Sequence, residues 1–437
     1  MIENLLIGLW NAGWLVINIE NLYPIVRALF LKERKEETSE VLESLPRISI
    51  LLAAYQEEIT LEACIERLLE SDYPSERLEV IILTEADDPT TGEIADALSK
   101  HPSVKHIVIP PDKKLPKGKP RALNEGLKYA TGEIIGVIDA EDLIDLSLFK
   151  TVAVQIRKGM DVVQGILDMA NHWDGWKSHQ FRGEYGFWFR VCLPSLAKIK
   201  WPVPLGGTTN FFKRSILEEL GGWDSWNVTE DFDLGMRIYN AGYKVAALKD
   251  SVTKRTKASI FVPRYQISTI NSVTKEESPR SWKSWLKQRT RWQRGKIQTL
   301  KKLIKSPPKE LWKKFHSFMA CFSPHMGIIN LSGIILSLLA WAVFRWQLAI
   351  PLLIVCWINL SFVVFYACQQ GIGFIKATEG EKVGLRRLRA IGIAISLPAY
   401  WIMQWIADIR AVWQEYIKKT VFWEKTRHEG RHFKTKG

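Results

Sequence analysis

Asp139-Ala140-Glu141-Asp142 sets three carboxylates directly after an aliphatic run at 133–138. Asp139 and Glu141, one residue apart at a strand end, can share a divalent cation whose remaining ligands are phosphate oxygens and water. The choice between Glu141 and Asp142 as second ligand stays open, and a solvated acidic turn is the plain alternative. Leu115-Pro116-Lys117-Gly118-Lys119-Pro120-Arg121-Ala122-Leu123-Asn124 brings three cations to a helix start. Lys119 could neutralise a leaving diphosphate there, or the stretch could be a basic surface loop. Thr229-Glu230-Asp231 precedes Phe232, Leu234, Met236 and Ile238, then Asn240-Ala241-Gly242. The pattern predicts Thr229 as N-cap, acids in the first turn and glycine ending the helix. A helix start also fixes a general base, and Asp231 could take a proton from an attacking hydroxyl. About sixty residues later comes Gln288-Arg289-Thr290-Arg291-Trp292. A guanidinium forks onto phosphate oxygens and an indole packs on the C–H face of a pyranose. A basic amphipathic helix on a bilayer surface has the same composition.

The elements that would position these groups alternate. Residues 48–54 and 79–84 are short aliphatic runs bounded by polar turns, with Leu61, Cys64, Ile65, Leu68 and Leu69 at helical spacing between them. Further strands are expected at 105–109 and 133–138, with a helix over 119–130. The resulting fold class is α/β, a Rossmann-like and mostly parallel sheet with helices on both faces. Ligands bind such sheets outside the carboxyl ends of the strands. Asp87 and Asp88 follow the second strand, and Asp139, Glu141 and Asp142 the fourth.

Composition divides the 437 residues further. Residues 1–32 are apolar but interrupted by Asn11, Asn18, Glu20 and Asn21, which suits an uncleaved membrane helix or an interfacial anchor. Residues 45–300 read as one soluble domain, 301–316 as a basic interfacial linker, 317–413 as membrane helices and 414–437 as a basic tail. Within 317–413, stretches 317–341 and 347–368 are long enough to cross a bilayer. The stretch 390–413 carries Pro398, Asp408 and Arg410, so a kink at Pro398 is expected, with Tyr400–Tyr416 along the interface. The 60 Lys and Arg against 47 Asp and Glu give +13. Clusters at Lys296–Lys314 and Lys376–Arg389 flank apolar stretches, which marks both flanks as cytoplasmic. No nucleic-acid motif accompanies the charge. The five cysteines form no CxxC pair and read as packed thiols, which points away from a disulfide framework or a zinc site.

Taken in order, these signatures resemble the inverting family 2 glycosyltransferases, in particular the bacterial cellulose-synthase-like membrane synthases with a GT-A domain. The likeness runs from Leu51-Leu52-Ala53-Ala54-Tyr55-Gln56-Glu57-Glu58 to Phe422-Trp423-Glu424-Lys425-Thr426-Arg427-His428. The family's Asp, DxD, TED and QxxRW motifs fall on Asp87 or Asp88, Asp139 with Glu141, Asp231, and Gln288/Arg291/Trp292. The resemblance implies Asp231 and Glu230 as the catalytic pair. It implies Tyr55, Glu57, Asp87, Asp88, Lys119, Gln288 and Arg291 on the nucleotide sugar, and Gly206, Thr208, Asn210 and Trp292 on the acceptor. Asp139, Glu141 and Asp142 would hold Mg²⁺ or Mn²⁺. The implied donor is UDP-glucose and the product a β-linked polysaccharide, made by a multi-pass enzyme of the inner (plasma) membrane with its catalytic domain in the cytoplasm. Membrane lipids and a second copy or accessory subunit are its expected partners, and nucleic acid is not. Transfer of a single sugar to a lipid carrier or short glycan is the alternative, and a catalytically silent subunit a third reading. Ser251-Val252-Thr253-Lys254 recurs as Ser272-Val273-Thr274-Lys275, which marks 255–271 as an insertion relative to that family.

Overall fold

The computed structural model describes residues 2–30, 45–112, 114–171, 174–248, 272–322, parts of 332–342, 350–379 and 382–418. The insertion at 255–271 and the tail beyond 418 lie outside the described residues. Helix α1 (Ile2–Phe30) comes first. Then follow β1 (Ile48–Ala54), α2 (Leu61–Leu69), β2 (Leu78–Glu85), α3 (Pro89–Leu98), β3 (Val104–Ile109), α4 (Lys119–Leu127), β4 (Ile134–Val137) and α5 (Leu148–Arg157). Next are β5 (Val162–Gln164), β6 (Ile166–Met169), α6 (Trp176–Phe187), α7 (Leu193–Lys198), β7 (Asn210–Lys213), α8 (Arg214–Leu220), α9 (Glu230–Ala241), β8 (Val245–Ala247) and β9 (Val273–Glu276). The chain continues with α10 (Trp282–Lys305), α11 (Leu311–Phe322), α12 (Ile350–Ala377) and α13 (Val383–Trp413).

The described residues cluster into two compact units: 32–171 with 200–279, and 1–31 with 172–199 and 280–420. The sequence reading kept 45–300 together. In the structure, 172–199 and 280–300 cluster with the apolar helices instead, because their tryptophans, tyrosines and long polar side chains pack there.

The first unit is a seven-stranded sheet ordered β3-β2-β1-β4-β7-β5-β8. β1, β2, β3 and β4 pair in parallel, as their aliphatic runs predict. β7 runs antiparallel between β4 and β5, an insertion that no local periodicity announces. Both faces are covered, so Ile50, Leu51, Leu52, Ile81 and Ile82 are fully buried. The strand order reverses between β1 and β4, which run parallel, and this is the switch point where open α/β sheets bind ligands. β6 and β9 pair in a separate parallel ribbon.

The second unit is helical. Asn11 and Asn18 of α1, which looked like interruptions, meet Asn359 of α12. Asn359 donates to the Asn11 side chain at 3.1 Å and accepts from Asn18 at 3.3 Å. Polar side chains thereby join two apolar helices. Gly183 and Gly186 of α6 lie against Gly373 of α12 so closely that a Cβ on Gly186 or Gly373 would overlap the facing backbone. α12 and α13 carry stretches, Ile354–Ala377 and Val383–Lys418, that are long and apolar enough to cross a membrane.

α13 continues as helix through Pro398, and in the turn before it Gln180 Nε2 donates to the Ile393 carbonyl at 2.9 Å and the Ser396 hydroxyl to the Gly392 carbonyl at 2.6 Å. Residues 301–305 extend α10 and 311–322 form α11, so the linker is mostly helix. Much of 317–341 lies outside the described residues. All five cysteines are free; Cys64, Cys321 and Cys356 are buried as packed thiols, Cys192 is partly buried, and Cys368 is exposed against that expectation.

Candidate active site

The carboxyl ends of β1, β2 and β4 bring the sheet unit's candidate residues together. Lys119 opens α4 and is buried to 9% exposure. Its ammonium donates to the Asp139 carboxylate and, at 2.6 Å, to the Gly207 carbonyl. The Asp231 carboxylate faces the open side of Gly207, where a Cβ built on the glycine would stand 3.7 Å from Asp231 Oδ2. Burial pulls the Lys119 pKa down, but Asp139, Glu230 and Asp231 outweigh it and hold the ammonium protonated. A chain of Asp139, Lys119, Gly207 and Asp231 thus joins β4, α4, the segment before β7 and the start of α9.

Asp142 faces inward. Its Oδ2 accepts from the Asp139 N–H at 3.1 Å and from the Thr208 hydroxyl. Thr208 Oγ1 also accepts from the Asp139 N–H at 3.0 Å. Burial, then Asp139, Glu141 and Glu276, push the Asp142 carboxyl well above its ordinary range. Its Oδ1 is buried without a hydrogen-bond partner. Among the described residues no three His, Cys, Asp or Glu side chains converge into a complete ligand set. Asp139, Glu141 and Asp142 do carry hard carboxylate oxygens, one of them orphaned, of the chemical type a divalent cation takes together with phosphate and water. Gly206 and Asn210 are held by local bonds: Gly206 N–H donates to Gln164 Oε1 at 2.8 Å, and the Asn210 amide to the Gly206 carbonyl.

The groups at the ends of β1 and β2 divide their roles. Asp88 caps α3, accepting from the Thr91 N–H, and also accepts from the Gln56 N–H at 2.5 Å. It fixes the turn after β1. Asp87 is paired with Lys117 at 2.5 Å, and that ammonium stands 3.5 Å above the Tyr55 ring. Glu57 is buried and accepts from the Thr60 hydroxyl at 3.0 Å. Glu85 and Arg121 form a buried ion pair beneath them. At α9, Thr229 occupies the N-cap position, but its hydroxyl goes to Asn227 Oδ1 at 3.3 Å instead of capping a helical N–H.

Gln288, Arg291 and Trp292 sit on α10, in the helical unit. Trp292 is half-buried and stacks on Tyr185 at 6.3 Å with a 26° interplanar angle. The Arg289 guanidinium lies 4.6 Å from its ring centre, donates to Glu184 at 2.5 Å and reaches the Tyr400 hydroxyl at 3.2 Å. Gln288 Oε1 is buried without a partner. Sequence reasoning passed over Arg289. Its four-residue step from Trp285 was the available signal, since it puts both on one helix face. Asn124, which ends the basic motif, and Glu276, an electrostatic neighbour of Asp142, were also missed.

The family model "Glycosyltransferase like family 2" matches residues 46–295. A probable glycosyltransferase of Bacillus subtilis, YdaM, is 27% identical over 308 residues, which is 68% of this chain and 67% of that protein. A beta-monoglucosyldiacylglycerol synthase of Synechocystis is 26% identical over 55% of this chain and 51% of its own length. A poly-beta-1,6-N-acetyl-D-glucosamine synthase of Staphylococcus epidermidis is 24% identical over 54% of each. The chain thus spans only about half the length of the latter two relatives. A mannosyltransferase from Pyrobaculum calidifontis, solved with GDP-Man and Mn²⁺, shares the fold with a TM-score of 0.58, at 18% identity over 96% of this chain and all of that one. Because the family match covers more than half of the sequence and the sheet is of GT-A type, the chain belongs to the family 2 glycosyltransferases.

Proposed function

We propose that this chain is a membrane-attached inverting enzyme that transfers a hexosyl unit from a nucleotide sugar, UDP-glucose first among donors, to extend a β-linked glycan. The observation that carries the reading is the Asp139–Lys119–Gly207–Asp231 chain, which sets a diphosphate-neutralising cation beside a carboxylate base. In the proposed step Asp231 takes the proton of an acceptor hydroxyl, whose oxygen bonds to the anomeric carbon. The bond from that carbon to the diphosphate breaks, the nucleoside diphosphate leaves with the electron pair, and the configuration inverts. Lys119 stabilises the charge growing on the departing phosphate. Mg²⁺ or Mn²⁺ held by Asp139 with Glu141 or Asp142 would supply further neutralisation of that diphosphate. Lys117 above Tyr55, with Asp87, forms the rim assigned to the nucleotide. The two apolar helices support attachment to a membrane.

Transfer of a single sugar to a lipid acceptor is a second reading. The packing of Trp292 on Tyr185 and Arg289 favours it, because a ring covered in this way offers less face to a polymer. One experiment separates the two: incorporation of labelled sugar from a panel of UDP- and GDP-sugars by purified protein in nanodiscs, with Mg²⁺ or Mn²⁺ against EDTA, sorted by product size. High-molecular-weight product supports glycan extension. Label confined to lipid supports single transfer, and no incorporation from any donor overturns both.

A further inference from the structure

We infer that the Gly221-Gly222-Trp223 segment is a rigid link between the helix opened by Lys119 and the helix carrying Asp231, and that Asn124 and Arg237 are the positioning residues that hold it from either side. The inference rests on the proposed roles of Lys119 and Asp231.

The link begins where α8 ends. Gly221 and Gly222 both adopt left-handed backbone, with φ of 72° and 70°, and the Gly222 N–H closes back onto the Leu217 carbonyl at 2.7 Å. On one side Asn124 of α4 clasps the next residue twice. Its Oδ1 accepts from the Trp223 N–H at 2.9 Å, and its amide donates to the Trp223 carbonyl at 2.7 Å and to Ser225 Oγ at 3.4 Å. The amide stands so close that a Cβ on Gly222 would overlap it, so glycine is required there for space as well as for φ. On the other side Arg237 of α9 donates to the Leu220 carbonyl at 2.9 Å and to the Gly222 carbonyl at 2.8 Å. Asp233, one turn earlier on α9, accepts from Arg237 Nε at 2.9 Å and fixes the direction of the fork. The Trp223 indole is buried and packs edge-on against Phe212 of β7 at 6.0 Å, which ties the link to the sheet.

Asn124 lies five residues beyond Lys119 on α4, about 7.5 Å along the axis, and Arg237 lies six beyond Asp231 on α9, about 9 Å. At their other ends the two helices approach again around Gly207, which accepts from Lys119 and turns its side-chain-free face toward Asp231, itself an electrostatic neighbour of the Lys119 ammonium. The cation and the base are therefore held in a closed frame: one edge is the Gly207 backbone, the opposite edge is the Gly222-Trp223 link. Asn124 and Arg237 both turn their polar side chains to the backbone of the link. Each acts by keeping the spacing of Lys119 and Asp231 constant while the charge moves.

The test compares Asn124→Leu, Arg237→Lys, the double variant and Asp231→Asn in the full chain in nanodiscs, measuring kcat, donor KM, nucleotide binding and melting temperature. Lysine at 237 keeps the charge beside Asp233 but cannot reach both carbonyls. Loosening the frame should lower kcat by about ten- to a hundredfold, as expected for a displacement of about 1 Å. Donor KM and nucleotide binding should stay within about twofold, and the double variant should be no worse than the poorer single one, because both release the same link. A merely structural role would lower the melting temperature and leave kcat per folded molecule intact, and that result overturns the inference. A parallel loss of nucleotide binding overturns it as well. If Asn124→Leu does not fold, Arg237→Lys decides alone. Normal turnover in Asp231→Asn would instead remove the base itself, and the inference with it.

Discussion

Replacing Lys119 by Met keeps the aliphatic stem and volume while deleting the charge at the centre of the candidate site. Two of the three ammonium N–H groups go to Asp139 and Gly207, which leaves one for a phosphate oxygen of the donor. Losing a charge-assisted hydrogen bond to phosphate costs about 1.5–3 kcal/mol. Asp139, whose side chain is 27% exposed, would then meet the diphosphate without its counterion. At an effective dielectric near 20 that repulsion adds about 1 kcal/mol or more once water has screened it. The sum of about 2.5–4 kcal/mol corresponds to a loss of about 10²–10³ in kcat/KM. The assay is steady-state transfer from the donor identified in the nanodisc panel, with circular dichroism confirming the fold. Turnover of Lys119→Met within about threefold of the wild type would refute the assignment, since no charge-assisted contact is that weak in a buried site.

Asp231→Asn should fold and bind nucleotide but lose transfer by about 10²–10⁴, the usual share of a general base, with isothermal titration and product counting as the paired measurements. Glu79 tests the sheet. Burial raises its carboxyl, but bonds from Lys105, Ser49 and Thr131 outweigh this and bring it down to about 2. A depressed carboxylate stabilises the fold above its unfolded pKa and loses that contribution as pH falls through the folded one. Glu79→Gln should therefore cost about 2–3 kcal/mol at neutral pH, with the gap to wild type closing between about pH 4.5 and 2 in denaturant titrations. Asn359→Leu leaves Asn11 and Asn18 without their shared partner, and should destabilise the helical unit by about 1–3 kcal/mol, read as a lower melting temperature in detergent. Arg289→Met removes the partner of Glu184 and Tyr400 and should lower the melting temperature of the helical unit in detergent, with an unchanged melting temperature counting against the role given to this pair.

Sequence alone determined the elements whose signal is local. The aliphatic runs at 48–54, 79–84, 105–109 and 133–138 became β1 to β4 within a residue or so, because burial of β1, β2 and β4 leaves a continuous apolar record and edge strand β3 keeps its β-branched residues among polar ones. The helix opened by Lys119 and the one from Glu230 to the glycine stop at Gly242 were legible from capping and turn chemistry. The order of the chemical motifs, and the family they indicate, were likewise present in the residues. Tertiary structure decided what each polar group does, because a carboxylate's role depends on neighbours far away in the chain. Asp142 turns inward only because Thr208 arrives beside it, 66 residues later. Asp88 is spent on α3 and the Gln56 backbone, while Asp87 takes Lys117. Asn18 looked like a flaw in an apolar helix until Asn359 met it across 341 residues. Antiparallel β7, the unbroken path of α13 through Pro398, and the covering of Trp292 by Tyr185 and Arg289 follow the same rule. Periodicity records which face of an element is buried. The partner that buries it is fixed only when distant segments compete for the same space and the same hydrogen bonds.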